Sequence, residues 1–296
     1  MRIAVTGKAG QVATSLVERG PAAGHEVIAV GRPDLDLVDP VSIIGALEAA
    51  APDVVVSAAA YTAVDKAESE SELAHIVNGR GGGAVAEASR TLGVPLVHIS
   101  TDYVFDGALD RPYLETDPTG PTGVYGASKL AGEEAARAAH GDNSAIVRVA
   151  WVYSPFGGNF VKTMLRLAAD RDEVSVVADQ VGNPTSALDI ADGILRAASN
   201  LAVDADPALR GVFHMTASGE ATWADFAEAI FATSARHGGP RAHVRRITTS
   251  EYPTPATRPA NSRLDGGLVA ERHGVSLPHW RNSLETVITR LLPYAD

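Results

Sequence analysis

The amino-acid sequence predicts an α/β protein: a Rossmann-type, doubly wound parallel sheet with a smaller C-terminal substrate-binding lobe. Three observations predict it. Short β-branched runs alternate with Ala-rich helical stretches, the rhythm of strand–helix–strand units. The first five runs are apolar nearly throughout instead of alternating, as strands covered on both faces of a parallel sheet must be. A glycine-bearing turn closes the first run, where such sheets hold a phosphate at a helix N-terminus.

Strands are expected over Ile3–Thr6, Glu26–Val30, Val54–Ala58, Leu96–Ser100, Ala145–Val149, Val174–Val177 and Val212–Met215. Helical patterns fill Gln11–Arg19, Val41–Ala50, Glu68–Gly79, Gly81–Leu92 and Tyr125–His140. The rhythm changes after about residue 150, where Gly157-Gly158, Asn183-Pro184 and the Pro-rich run from Tyr252 to Pro259 give turn and loop signals. Residues 1–150 are therefore expected to form a dinucleotide-binding Rossmann domain. Residues 151–296 are expected to form mainly the substrate-binding lobe, with 174–178 and about 187–216 returning to the first domain.

Composition narrows the function. A chain of 296 residues suggests about two domains. The formal net charge of −11 argues against a nucleic-acid partner or an anionic membrane surface. Cys is absent, which removes disulfides, thiolate nucleophiles and cysteine metal sites. No apolar stretch approaches the ~18 residues of a membrane span. The first strand follows Met1 directly and leaves no room for a signal peptide, so the expected location is cytoplasmic. The nine His show no HExxH-like spacing, and His98, inside a strand, reads as a satisfied core residue.

Several motifs carry chemistry. Gly7-Lys8-Ala9-Gly10-Gln11-Val12-Ala13 is Gly-x-x-Gly-x-x-Ala between strand and helix. Glycine there lets the backbone turn tightly and pyrophosphate approach; the bland alternative is an ordinary turn. Arg32 follows the second strand, where an Arg accommodates a 2′-phosphate and an acid would bind a ribose hydroxyl. Arg32 favours NADP, although Asp34 and Asp36 follow closely and a solvated loop charge is the alternative. Tyr125-Gly126-Ala127-Ser128-Lys129 opens a helical stretch, so phenol and ammonium share one face. A nearby cation lowers a phenol pKa from its ordinary value near 10, which predicts an acidic Tyr125 suited to proton transfer. The chain has only four Lys, at 8, 66, 129 and 162, so this pairing is informative. Ser100-Thr101-Asp102-Tyr103 follows the fourth strand, where sheet ligands bind. Thr101 either holds a carbonyl oxygen or caps its own backbone. Arg258 and Arg263 lie in the Pro-rich loop and suit a diphosphate clamp or a plain charged surface. Trp151, after the fifth strand, packs on a sugar, a base or the core.

Together these residues resemble the extended short-chain dehydrogenases/reductases. Ala58 to Glu68 (AAAYTAVDKAE), Ser100 to Gly107 (STDYVFDG), Tyr125 to Glu133 (YGASKLAGE), Trp151-Val152-Tyr153, Asp179 to Thr185 (DQVGNPT) and Arg258 to Asp265 (RPANSRLD) are similar to the matching segments of the dTDP-4-dehydrorhamnose reductases. The likeness runs almost end to end.

The resemblance implies reduction of the C4 ketone of a dTDP-4-dehydro-6-deoxy-L-mannose by NADPH or NADH. Gly7, Gly10, Gln11 and Val12 would hold the pyrophosphate, with Arg32, Asp36 and Leu37 near the adenosine. Ala59, Ala60, Tyr61, Thr62 and Ile99 would line the cofactor. Thr101, Tyr125 and Lys129 would be catalytic, with Tyr125 and Lys129 also touching the cofactor. Thr101, Asp102, Trp151, Asn159, Arg258 and Arg263 would contact the dTDP-ketosugar. Some members form a magnesium-bridged homodimer through an acid on the first helix. This chain has Ser15 there, which leaves the Mg2+ ion and the dimer open. Two rivals remain: a nucleotide-sugar epimerase or dehydratase holding NAD tightly, and a non-catalytic regulatory subunit on the same fold. Dehydratases usually place Asp-Glu after the catalytic Thr, whereas Thr101 is followed by Asp102-Tyr103.

Overall fold

The structure, a computed structural model, describes residues 1–292. Its centre is a six-stranded sheet whose strands are all parallel. The first five are β1 (Arg2–Thr6), β2 (Glu26–Val30), β3 (Val54–Ser57), β4 (Leu96–Thr101) and β5 (Ser144–Val149). The sixth is the edge strand Gly211–His214, and the order across the sheet is Gly211–His214, β5, β4, β3, β1, β2. The order reverses at β1, between β3 and β2, and ligands of open sheets bind beyond the strand ends at such a reversal.

The continuous apolar runs follow from burial on both faces. Ile3, Val5, Val54 and Val56 point into one cluster with Leu16 of helix α1 (Gln11–Arg19) and Ile190, Ile194 and Leu201 of the helix Ala187–Val203. Ala4 and Val55 point the other way. They meet Ile43 and Leu47 of α2 (Pro40–Ala50), Val85 of the helix Gly81–Leu92 and Ala136 of the helix Val124–His140. Strands β1, β3, β4 and β5 thus remove the side chains of both faces from water, while the edge strand β2 is only partly covered. The helices Gly81–Leu92 and Val124–His140 pack closely because small residues face each other. A Cβ on Gly83 would sit 2.9 Å from that of Ala135, and one on Gly82 would sit 3.6 Å from the Gly132 Cα.

A second cluster is built from the helices Phe160–Asp170, Trp223–Arg236 and Trp280–Leu291, centred on Phe226, Ile230 and Trp280. Here one sequence expectation is corrected. Glu173–Val177 does not return to the central sheet; it pairs in parallel with His243–Ile247, and Val174 and Val176 bury in the second cluster. A short apolar run carries no information about which sheet it joins. The expected single helix over Glu68–Gly79 is also broken. Short helices Val64–Ala67 and Ser71–Ala74 flank a kink at Glu70, and a π-helical stretch over His75–Arg80 leads into the next helix. The Glu70 carboxylate accepts from the Tyr61 hydroxyl at 2.7 Å. The wider turn brings Asn78 against the backbone of Tyr61.

Candidate active site

A cleft of about 1,210 Å³ runs along the carboxyl ends of β1 to β5. At one end lies the glycine turn. Gly7 has φ +96°, a left-handed conformation that favours glycine, and a Cβ there would press on Ala59 at 3.4 Å. Gly10 begins α1 with no side-chain cap. The first amide groups of that helix are therefore free to meet an anion. Val12 lines the same wall. Gln11 spans two segments: its Nε2 donates to the Val152 carbonyl at 3.3 Å, and its Oε1 accepts from Ser154 at 2.7 Å.

The next wall follows β2 and β3. Arg32, Asp36 and Leu37 line it, with Arg32 exposed. Asp34 is paired with Lys8 at 2.8 Å, and the Asp36 carboxylate accepts from the Val38 amide at 3.2 Å. Both acids after β2 are thus engaged close to home, while Arg32 stays available. Ala59, Ala60, Tyr61 and Thr62 form the floor. The Thr6 hydroxyl accepts from the amides of Ala58 and Ala59 at 3.0 Å. Asn78 clamps Tyr61 and donates to Ser128 at 2.9 Å, tying this loop to the helix Val124–His140.

That helix brings Tyr125 and Lys129 to the centre, opposite Ile99, Thr101 and Asp102. The Tyr125 phenol lies beside the Thr101 hydroxyl. Thr101 also donates to Asp102 Oδ1 at 2.9 Å and accepts from the Tyr103 amide at 3.3 Å. It caps its own backbone while its side chain lines the cleft. Burial pushes Asp102 up to about 6. Lys129 is 5% exposed and donates to the Ile99 carbonyl at 2.7 Å. Burial pulls its ammonium down to about 8, with Glu133 opposing.

The expected acidic phenol is not what the structure holds. Burial pushes Tyr125 up to about 12, because the ammonium is directed at a carbonyl instead of the phenol and desolvation dominates. His98 is likewise buried but not satisfied: neither ring nitrogen has a hydrogen-bond partner, and burial pulls it down to about 3.

The far end of the cleft is aromatic. Trp151 lines it with φ +46° and stacks on Trp223, centroids 3.6 Å apart and 8° from parallel. Phe160 leans on Trp223 at 4.6 Å. Sequence reasoning missed Trp223, Tyr103 and Phe160. A signal for Trp223 existed, since Thr222 and Asp225 form a capping box that places it at the start of a helix. Three expected substrate residues are not brought to the cleft wall. Asn159 caps the helix Phe160–Asp170 and donates to Gln11 Oε1 at 3.1 Å. Arg258 forks onto Asp65 at 3.0 and 2.8 Å. Arg263 pairs with Glu220 at 3.0 Å. Each is committed to a partner within the chain.

Among the described residues, no group of three or more His, Asp or Glu side chains is placed to hold a metal ion. Ser15, on the first helix, is buried and donates to the Gln11 carbonyl at 2.8 Å. No described helix is long and apolar enough to cross a membrane.

A doubly wound sheet, an uncapped glycine turn and a Tyr-x-x-x-Lys pair facing a Thr define a nicotinamide-dependent oxidoreductase of the extended short-chain type. Comparison with known proteins narrows this. The family model described as RmlD substrate binding domain matches residues 1–292. A dTDP-4-dehydrorhamnose reductase of Sinorhizobium fredii is 49% identical over 292 residues, covering 99% of this chain and 98% of that protein. A crystal structure of a Clostridium acetobutylicum dTDP-4-dehydrorhamnose reductase superposes with a TM-score of 0.91 at 37% identity, covering 98% of this chain and 99% of the other. One from Bacillus anthracis, in complex with NADP, gives 0.90 at 34% identity, covering 97% and 98%. The chain belongs to the RmlD family, that of the dTDP-4-dehydrorhamnose reductases.

Proposed function

We propose that this chain reduces the C4 ketone of dTDP-4-dehydro-β-L-rhamnose to give dTDP-β-L-rhamnose, with NADPH as the preferred hydride donor. Membership of the family supports the reaction, and one observation carries the site: Tyr125, Lys129 and Thr101 converge on one cleft wall, the phenol beside the Thr101 hydroxyl and Lys129 a turn below. When bound, the reduced nicotinamide supplies a hydride to the carbonyl carbon.

The chain's own groups do the rest. Gly7, Gly10, Gln11 and Val12 receive the pyrophosphate at the free helix N-terminus. Ala59, Ala60, Tyr61, Thr62 and Ile99 hold the dinucleotide along the floor. Tyr125 delivers its proton to the ketone oxygen, and burial keeps that phenol protonated at neutral pH, as an acid must be. Thr101 orients the same oxygen. The Lys129 ammonium favours the phenolate left behind and remains charged below about pH 8. Asp102 and Trp151 line the sugar side. Arg32 is the exposed cation at the adenosine end, and the Lys8–Asp34 pair neutralises the nearby acid, so a 2′-phosphate is accepted there.

The test is Tyr125→Phe. Turnover of the dTDP-ketosugar, followed by loss of NADPH absorbance, falls by about 10²- to 10⁴-fold, while NADPH binding is retained. Near wild-type turnover by a folded variant refutes the assignment.

A further inference from the structure

The helix that carries Tyr125 and Lys129 is fastened to β4 by two consecutive strand residues, and a third, Thr101, faces Tyr125 beside them. The Ile99 carbonyl accepts from Lys129 Nζ at 2.7 Å, the Ser100 hydroxyl donates to Glu133 Oε1, and the Thr101 hydroxyl meets the Tyr125 phenol. Residues 125, 129 and 133 are successive turns of one helix face. Ser100 stands opposite Arg148 of β5 in the sheet register. The Arg148 guanidinium forks onto Glu133, Nε to Oε1 at 2.9 Å and Nη2 to Oε2 at 2.7 Å. Ser100, Glu133 and Arg148 are 2%, 2% and 4% exposed. The guanidinium also lies 4.9 Å over the ring of Phe105, in the segment that follows Thr101 and Asp102.

A charge pair sealed this deeply is a poor source of stability. Removing two ions from water costs about what their attraction returns, and an apolar pair of similar volume often serves as well. What a two-pronged fork adds is direction, since it fixes distance and angle together. A helix resting on a sheet through small apolar contacts alone is weakly held against sliding along its axis. Gly126, Ser128 and Gly132 make the packed face of this helix small-sided, so a polar pin is needed where side-chain bulk cannot set the position. Glu133 does not line the cleft, so it acts on the chemistry only through its neighbours.

We propose that Glu133, clamped by Arg148 and Ser100, is a positioning residue: it sets the axial register of the helix Val124–His140 on β4 so that Tyr125 and Lys129 arrive opposite Thr101. This rests on the catalytic reading of Tyr125 given above. A misplacement of about 1 Å can cost a hundredfold in rate, so the pin governs turnover much more than cofactor affinity, which the glycine turn supplies.

The experiment replaces the pair with apolar residues of similar length, Glu133→Leu with Arg148→Met, beside Glu133→Gln, which keeps an acceptor for Arg148. Melting temperature, NADPH dissociation constant, KM and kcat are measured for each. The double variant is expected to stay folded with NADPH affinity within about twofold, while kcat falls by about tenfold or more. Glu133→Gln, retaining half of the fork, is expected to lie between it and the wild type. A folded double variant with wild-type kcat overturns the proposal. So does a loss shared equally by kcat and NADPH affinity, which marks general loosening. Should the double variant fail to fold, Glu133→Gln decides alone by the same split between kcat and affinity. Tyr125→Phe run in parallel separates the two claims. If that variant turns over normally, the catalytic reading has failed and takes this inference with it. If it is inactive while the Glu133 variants are normal, only the positioning role has failed.

Discussion

The two ends of the chain use arginine and its neighbours in opposite ways. At the β2 end of the cleft, the acids Asp34 and Asp36 are engaged by Lys8 and the Val38 amide, and Arg32 is left exposed at the wall. In the Pro-rich loop of the C-terminal half, Arg258 and Arg263 are each taken up by an acid of the same chain, Asp65 and Glu220. The first arrangement presents a cation to a ligand. The second spends cations on holding segments distant in sequence together. Residue type and motif were similar in the two cases; what separates them is whether a carboxylate from elsewhere in the fold arrives first.

The largest expected effect tests the first region at its centre. Lys129→Met removes the ammonium while keeping the length of the side chain, and the phenolate formed by proton transfer loses its nearby cation. Turnover is expected to fall by about 10²-fold or more, within the range for a lost acid–base partner. A smaller loss would mean that the burial of Tyr125 matters more than its charge partner.

The next effect concerns Arg32. Arg32→Ala is expected to weaken NADPH by about tenfold, the order of one charge-assisted contact or about 1.4 kcal/mol, and to leave NADH nearly unchanged. Equal losses for both cofactors would move Arg32 from the 2′-phosphate to the adenine or out of the site.

A third effect is read in pH. Burial holds Lys129 at about 8 against an ordinary value of 10.5. Activity that needs the ammonium is therefore expected to fall as pH rises through about 8 in kcat/KM of the free enzyme. Stability moves the other way. Between about 8 and 10.5 the unfolded chain binds more protons than the folded one at this residue, so its contribution to stability rises with pH over that window. Lys129→Arg, which stays protonated, is expected to remove the alkaline limb near 8. A limb that persists at the same pH in that variant assigns it to another group.

How much of this was legible in the sequence differs by region for a physical reason. Strands β1, β3, β4 and β5 are buried on both faces, so Val54–Ser57 or Leu96–Thr101 announces itself as an unbroken apolar run. In an open parallel sheet, such a run also dictates where its loop emerges. Gly7, Thr101, Tyr125 and Lys129, which line one cleft, are therefore legible as neighbours from the strand pattern. Glu173–Val177 shows the limit: its composition fits a buried strand, but its partner is His243–Ile247, some 70 residues on, and pairing over that distance leaves no local trace. The kink at Glu70 was hidden among helix-forming residues, whereas the wide turn at His75–Arg80 did carry a signal, the Asn78-Gly79 pair, which an otherwise periodic run masked. The acidity expected of Tyr125 failed because spacing reports a shared face and says nothing of desolvation, which here dominates.

The smallest expected effect bears on the C-terminal region. Arg258 and Asp65 are partly exposed, 26% and 42% at the side chain, and pairs of that kind contribute about 0–1 kcal/mol. If the fork onto Asp65 is the resting role of Arg258, then Arg258→Ala and Asp65→Ala lower the melting temperature by the same few degrees. The double variant adds little, because the second change removes a contact already lost. KM for the dTDP-ketosugar then changes by no more than about threefold in either, far from the tenfold of a lost charge-assisted contact. The informative departure is asymmetry. A tenfold rise in KM for Arg258→Ala together with a fall for Asp65→Ala would mean that the substrate diphosphate displaces the carboxylate and takes the guanidinium for itself. The two regions would then differ only in when their arginines are released. Equal and small effects place the difference in the fold itself, with Asp65 holding the Pro-rich loop against the helix Val64–Ala67 throughout the catalytic cycle.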